Sequence, residues 1–250
     1  MVRRVRALLP REDLVFFADQ AHVPYGERTP DELAALLANN VAFLAAQGVD
    51  AIVMGCNTTC AVAAERGWPD AGRPILDLIA AAADTVAASG ARRVGVLATS
   101  ATARSGAYGR AIRARAPHVA VQELAAPRLV PLVEAGTLDG PLARAAVAEA
   151  LAPFELPLDV LVLACTHYPL LDAEFAALLG PHVARIDPAA AQAERAAAFA
   201  RERGPRSGDG TTRYITNGPL APFHAAVESI VGALAPGDSV VQAPPALARR

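Results

Sequence analysis

Apolar positions along the chain fall into two alternating rhythms. Short runs of β-branched, Leu and Phe residues, such as "LVFFAD" (14–19), "AIVM" (51–54), "VGVLA" (94–98) and "DVLVLA" (159–164), are separated by longer stretches whose apolar residues return every three or four positions. That alternation predicts parallel βαβ units and an α/β fold. The sharpest helix covers "TPDELAALLANNVAFLAAQG": Thr29 is placed to cap, Pro30 suits the first turn, Glu32 completes a capping box and Gly48 ends the run. Further helices are expected after Cys56, around "ILDLIAAAADTVAASG", from about Ser105, over 127–136 and 141–152, after Tyr168, over 188–203 and in "APFHAAVESIVGAL". The runs "VAVQEL", "VARI" and "RYIT" read as strands, and the polar stretch 204–212 reads as a loop. Residues 236–250 are rich in Pro and Ala without periodicity, so a frayed tail is expected there.

The expected architecture is two doubly wound, pseudo-symmetric α/β lobes with mostly parallel sheets and an active site in the cleft between them. Residues 1–91 with 211–235 form the first lobe, 92–210 the second, and 236–250 a flexible tail.

Composition narrows the classes of function. With 250 residues, 53% of them apolar, the chain can bury a substantial core. A net charge of -2 with 19% charged residues provides no broad basic surface, which argues against nucleic acid as a partner. No apolar run reaches the roughly 18–20 residues of a membrane span, and "MVRRVRALLP" is too short and too charged for a signal peptide. A cytoplasmic protein is therefore expected. Its three cysteines form no disulfide framework and read as free thiols.

Two of those thiols share a grammar. Cys56 in "IVMGCNTTCAVA" and Cys165 in "VLVLACTHYPLL" each end a strand-like run, where ligands of open α/β sheets bind. Each also precedes a helix, whose unpaired N–H groups and dipole favour a thiolate. Two thiols facing one carbon can invert it: one removes a proton, the other delivers a proton to the far side. Cysteine suits both roles with an ordinary pKa of about 8.5, and the chemistry requires no metal and no organic cofactor. Asn57, Thr58, Thr166 and backbone N–H groups are suitable donors to a carboxylate and the developing carbanion.

Plainer readings stand beside these. Cys60 reads as core filler. A metal set of Cys56, Cys60, Cys165 and His167 lacks the usual paired two-residue spacings. Asp19 can cap the segment after it, Glu134 can be a solvated helix residue, Tyr25 a packing aromatic, Gly26 a turn residue, and Thr99 to Thr102 a helix cap. His22, His118, His182 and His224 read as solvated.

The segments "VFFADQAHVPYGERTPDEL", "GCNTTCAVA", "VGVLATSATARSGAY", "LVPLVEAG", "LACTHYPLL", "IDPAAAQA" and "YITNGP" resemble, in order and spacing, the cofactor-independent glutamate racemases. The resemblance runs from Val2 to about Leu234. It implies that Cys56 and Cys165 are the acid/base thiols and that Asn57, Thr58, Thr166, His167, Tyr25 and Gly26 hold the substrate. It further implies that Asp19 and His167 tune the two cysteines, that Glu134 is an acidic residue near the site, and that Thr99 and Thr102 offer hydroxyls to the substrate carboxylate. A small-molecule substrate, glutamate, and a homodimer are implied as well, with D-glutamate destined for bacterial peptidoglycan. The other readings are an aspartate or broad-specificity racemase of the same superfamily, or a non-catalytic amino-acid-binding relative. Family members open with a strand leading into an Asp-Ser-Gly loop and a glycine pair, whereas here Met1 aligns inside the first helix. The start is accordingly expected to lie farther upstream, and a protein beginning at Met1 to be poorly stable or inactive.

Overall fold

The computed structural model describes residues 1–155, 157–204 and 210–248. Residues 205–209 of the expected polar loop lie outside the described residues. The chain opens with helix α1 (Val2–Leu8), strand β1 (Leu14–Ala18) and helix α2 (Pro30–Ala46). The expected capping box is formed at α2, with Thr29 accepting from the Glu32 N–H and Glu32 reaching back to the Thr29 N–H. Leu33, Leu36, Leu37 and Val41 follow the helical period and are buried, and Gly48 takes a positive φ of 76° just beyond the end.

Strand β2 (Ile52–Val53) leads to helix α3 (Asn57–Arg66), then strand β3 (Ile75–Leu76) and helix α4 (Leu78–Ala88). Strand β4 (Arg93–Ala98) is followed by α5 (Ser100–Ser105) and α6 (Ala107–Arg115), divided by Gly106 in the left-handed conformation. Strand β5 (Ala120–Ala125), helices α7 (Leu129–Glu134) and α8 (Gly140–Leu151) and strand β6 (Val160–Ala164) come next. Helix α9 (Asp172–Leu179), strand β7 (Ala184–Ile186), helix α10 (Pro188–Arg203), strand β8 (Thr212–Thr216), helix α11 (Leu220–Val231) and strand β9 (Ser239–Gln242) complete the order.

All recorded strand pairings are parallel. The largest sheet has the order β5-β4-β6-β7, a three-stranded sheet the order β1-β8-β9, and β2 pairs with β3 alone. Strand β6 is buried at every position, as a parallel strand covered on both faces must be, and each such Val or Leu contributes roughly 1.5–3 kcal/mol.

Three features differ from the sequence reading. Ile75 and Leu76, placed in a helix, form β3, and Asp77 caps the helix that follows by accepting from the Ile79 N–H. The expected frayed tail carries β9, which pairs with β8 from Ser239 to Gln242, because Val240 and Val241 supply the β-branched residues of one more parallel strand. The boundary at residue 91 falls inside a shared core: Leu78, Ile79, Ala82, Ala83 and Val86 of α4 pack with Val94, Val96, Tyr108 and Val162 across it.

Candidate active site

Asp19 follows β1, Thr99 follows β4, Cys165 follows β6 and Asn217 follows β8, while Cys56 lies just beyond β2. The candidate residues therefore gather at the carboxyl ends of parallel strands, where side chains project beyond the sheet.

Cys56 is the N-cap residue of α3, and its carbonyl accepts from the Cys60 N–H at 3.2 Å and the Thr59 hydroxyl at 3.0 Å. It is half-buried, whereas Cys60 behind it is fully buried and its thiol is pushed well up by that burial. Cys60 is core filler, as read. Cys165 is 6% exposed, and burial pushes its thiol up to about 12 against the pull of the His167 and Tyr168 N–H groups. Nearby Cys56 adds to that upward push, and it also contributes to raising the Tyr25 phenol. The two sulfurs and Tyr25 thus share one electrostatic neighbourhood. The expectation that a helix start favours a thiolate fails at Cys165, since a short 3₁₀ turn (Tyr168–Leu171) follows it and desolvation dominates.

His167 Nδ1 stands 3.7 Å from the Cys165 sulfur, and its Nε2 is 2.6 Å from Glu134 Oε1. Glu134, the exposed last residue of α7, is both a solvated helix residue and the third member of a thiol–imidazole–carboxylate row. Tyr168 is fully buried below this row and donates to the carbonyls of Ala98 at 3.1 Å and Ala126 at 2.8 Å, tying the ends of β4 and β5 to the turn after Cys165. Thr166, between Cys165 and His167, is exposed and has no side-chain hydrogen bond among the described residues.

Three hydroxyls join the segments. Thr58 Oγ1 is 3.2 Å from Thr99 Oγ1, Thr99 Oγ1 is 3.0 Å from Thr102 Oγ1, and Thr102 Oγ1 donates back to Thr58 at 3.4 Å. Thr99 also caps α5 as read, accepting from the Thr102 N–H. A Cβ added to Gly26 would sit 3.3 Å from the Thr99 Cβ, so the absence of a side chain lets the Tyr25-Gly26 turn close onto this hydroxyl cluster.

Among the described residues, Asp19 makes no hydrogen bond to a sulfur. Its carboxylate accepts from the Tyr25 hydroxyl, from Asn217 Nδ2 and, at 3.1 Å, from Asn40 Nδ2, and it stands 2.5 Å from His22 Nδ1. Burial pushes the Asp19 carboxyl up, but bonds from Tyr25, His22, Asn217 and Asn40 outweigh it and hold the group below its ordinary value. The Tyr25 phenol, desolvated and beside that carboxylate, is pushed upward and keeps its proton. Asp19 is thus the hub of the loop that carries Tyr25 and Gly26. His22 corrects the solvated reading, being 6% exposed with its Nε2 sealed from solvent.

Sequence reasoning missed Asn40, Asn217 and Tyr108, whose hydroxyl donates to Asn57 Oδ1. Asn40 was visible as a polar break in an apolar helix; Asn217 and Tyr108 lay within the quoted segments but carried no local signal of their partners, 198 and 51 residues away. Among the described residues, no three His, Cys, Asp or Glu side chains stand close enough to hold a metal ion, and no helix is long and apolar enough to cross a membrane.

The chain matches known proteins in sequence over most of its length. Residues 1–196 match the Asp/Glu/hydantoin racemase family. The chain belongs to that family. It is 39% identical over 243 residues to a glutamate racemase of Desulforudis audaxviator, a match covering 93% of this chain and 89% of the other. Among solved structures of the family, the glutamate racemase of Thermus thermophilus in complex with β-chloro-D-alanine is similar with a TM-score of 0.81 and 33% identity, covering 96% of this chain and 91% of that one. That of Francisella tularensis in complex with D-glutamate has a TM-score of 0.83 at 27% identity, with the same coverage.

Proposed function

We propose that the chain interconverts L- and D-glutamate by moving the Cα proton between Cys56 and Cys165, and so provides D-glutamate for bacterial peptidoglycan. The observation that supports this reading is the pair of free thiols just beyond the ends of β2 and β6, near enough that Cys56 adds to the upward push on the Cys165 thiol.

One thiolate removes the Cα proton and becomes a thiol, leaving a planar carbanion conjugated with the carboxylate. The other thiol gives its proton to the opposite face and becomes a thiolate. The proton count closes, and the enzyme has exchanged the protonation states of its two sulfurs. Burial suits Cys165 to the proton-delivering role, since it favours the neutral thiol. The reverse direction starts from the state the forward step leaves, Cys165 as thiolate and Cys56 as thiol. From the opposite state it is reached when the Cys165 proton passes to His167 Nδ1 at 3.7 Å, with Glu134 steadying the ring, and on to water, while Cys56 takes a proton from water. The substrate carboxylate is met by neutral groups: the Thr58, Thr99 and Thr102 hydroxyls, Asn57 and the N–H groups opening α3. Tyr25 and Gly26, held by Asp19, close the site over the substrate.

The test is incubation with L-glutamate in deuterated water, following optical rotation and deuterium at Cα, with Cys56→Ser and Cys165→Ser beside the parent and aspartate in parallel. The expected result is racemisation with deuterium incorporation in the parent and a loss of at least about 10³-fold in each variant. Turnover of aspartate in preference to glutamate would reassign the substrate. Undiminished racemisation in both variants would sink the two-thiol mechanism.

A further inference from the structure

Tyr108 is a buried phenol to which the proposed reaction assigns no task. It stands on α6, fully buried in the core built on the four-stranded sheet, yet its hydroxyl donates to Oδ1 of Asn57, the first residue of α3 and the neighbour of Cys56. A carboxamide has an accepting end and a donating end, exchanged by a half-turn. With Oδ1 committed to Tyr108, Nδ2 is the end left over. It has no partner among the described residues, and it is not among the polar atoms sealed from solvent.

We propose that Tyr108 is a positioning residue that fixes the Asn57 carboxamide so that the amino-acid carboxylate beside Cys56 meets an N–H donor rather than a carbonyl oxygen. The inference rests on the function proposed above for the same site. The flipped orientation is disfavoured twice. Tyr108 would then have to accept from Nδ2, and its own proton would need another acceptor in a fully buried place, where the described residues offer no second hydrogen bond. Oδ1 would also face the substrate carboxylate, two acceptors without a proton between them. Burial keeps the phenol protonated by pushing its ionisation well upward, so the donor does not switch off across the working pH range.

The role predicts a split that simple core packing does not. Tyr108→Phe keeps the ring and removes only the donor. The KM for both glutamate enantiomers should rise about tenfold, as expected for a weakened hydrogen bond to a charged group, while kcat stays within about threefold. In an Asn57→Ala background the same change should raise KM by less than about twofold, because the carboxamide it positions is gone. A KM within twofold of the parent, or an equal rise in both backgrounds, would overturn the proposal. A parent inert toward glutamate and aspartate would instead remove the function reading. The latch would then be decided by thermal unfolding of the two single variants and the double variant: non-additive shifts in Tm support the Tyr108–Asn57 coupling, and additive shifts overturn it.

Discussion

The two thiols perform mirror-image tasks in the proposed reaction, and their surroundings are not mirror images. Cys165 follows a strand buried at all its positions inside a four-stranded sheet, with an imidazole on its sulfur and a carboxylate on the imidazole. Cys56 follows a two-residue strand in a two-stranded sheet, is half-buried, and caps a ten-residue helix with no charged side chain bonded to its sulfur among the described residues. The carboxylate on that side, Asp19, is spent on holding the loop of Tyr25. In the proposed reaction one half-site would move a proton through a relay, and the other would hold a loop beside a more accessible sulfur. If the proposed reaction holds, the difference teaches that a reversible reaction does not require symmetric machinery; each direction would lean on its own supports.

After the thiols themselves, the largest effect should come from cutting the relay. His167→Ala is expected to lower kcat about 10²-fold, with deuterium exchange from one glutamate enantiomer suppressed far more than from the other. Equal losses from both would show that the two half-sites are functionally alike.

Thiol accessibility gives a second contrast. Cys165 has its ionisation raised above that of an ordinary thiol, so its reactive thiolate is scarce at neutral pH and grows about tenfold per pH unit toward 12. Iodoacetamide at pH 7.5 should therefore label Cys56 at least about ten times faster than Cys165, and the Cys165 rate should climb steeply with pH, as read by peptide mass spectrometry. Cys60, fully buried, should stay unlabelled in the folded protein. Preferential labelling of Cys165 at pH 7.5 would reverse the comparison.

The smallest effect concerns the loop-holding side. Asn217→Ala removes one of the donors on Asp19 and should raise KM about three- to tenfold, with kcat nearly unchanged and stability lower by about 1–2 kcal/mol. A fall in kcat matching that of His167→Ala would mean that Asp19 reaches the chemistry directly.

What the sequence disclosed and what it concealed divide along the range of the interactions. Thr29, Glu32 and Gly48 mark the ends of α2 with chemistry that acts within a few residues, and both appear in the structure as read. Cys56 and Cys165 were legible because each interrupts an apolar run with a polar step that burial does not explain. Strand β3 was hidden because two residues carry no period, and β9 because prolines and alanines surround its valines. The Asp19 cluster and the Tyr108 bond could not be read at all: they join residues from separate elements, and nothing local distinguishes a buried His22 from a solvated one.

The ring of threonine hydroxyls bears on how firmly such a site grips its guest. Thr58, Thr99 and Thr102 satisfy one another, so in the proposed reaction an arriving carboxylate trades existing bonds for new ones instead of rescuing stranded donors. The net attraction is the small difference between the two sets. A catalyst that must release either enantiomer gains from that mild hold, because tight retention of the ground state would slow departure without quickening inversion.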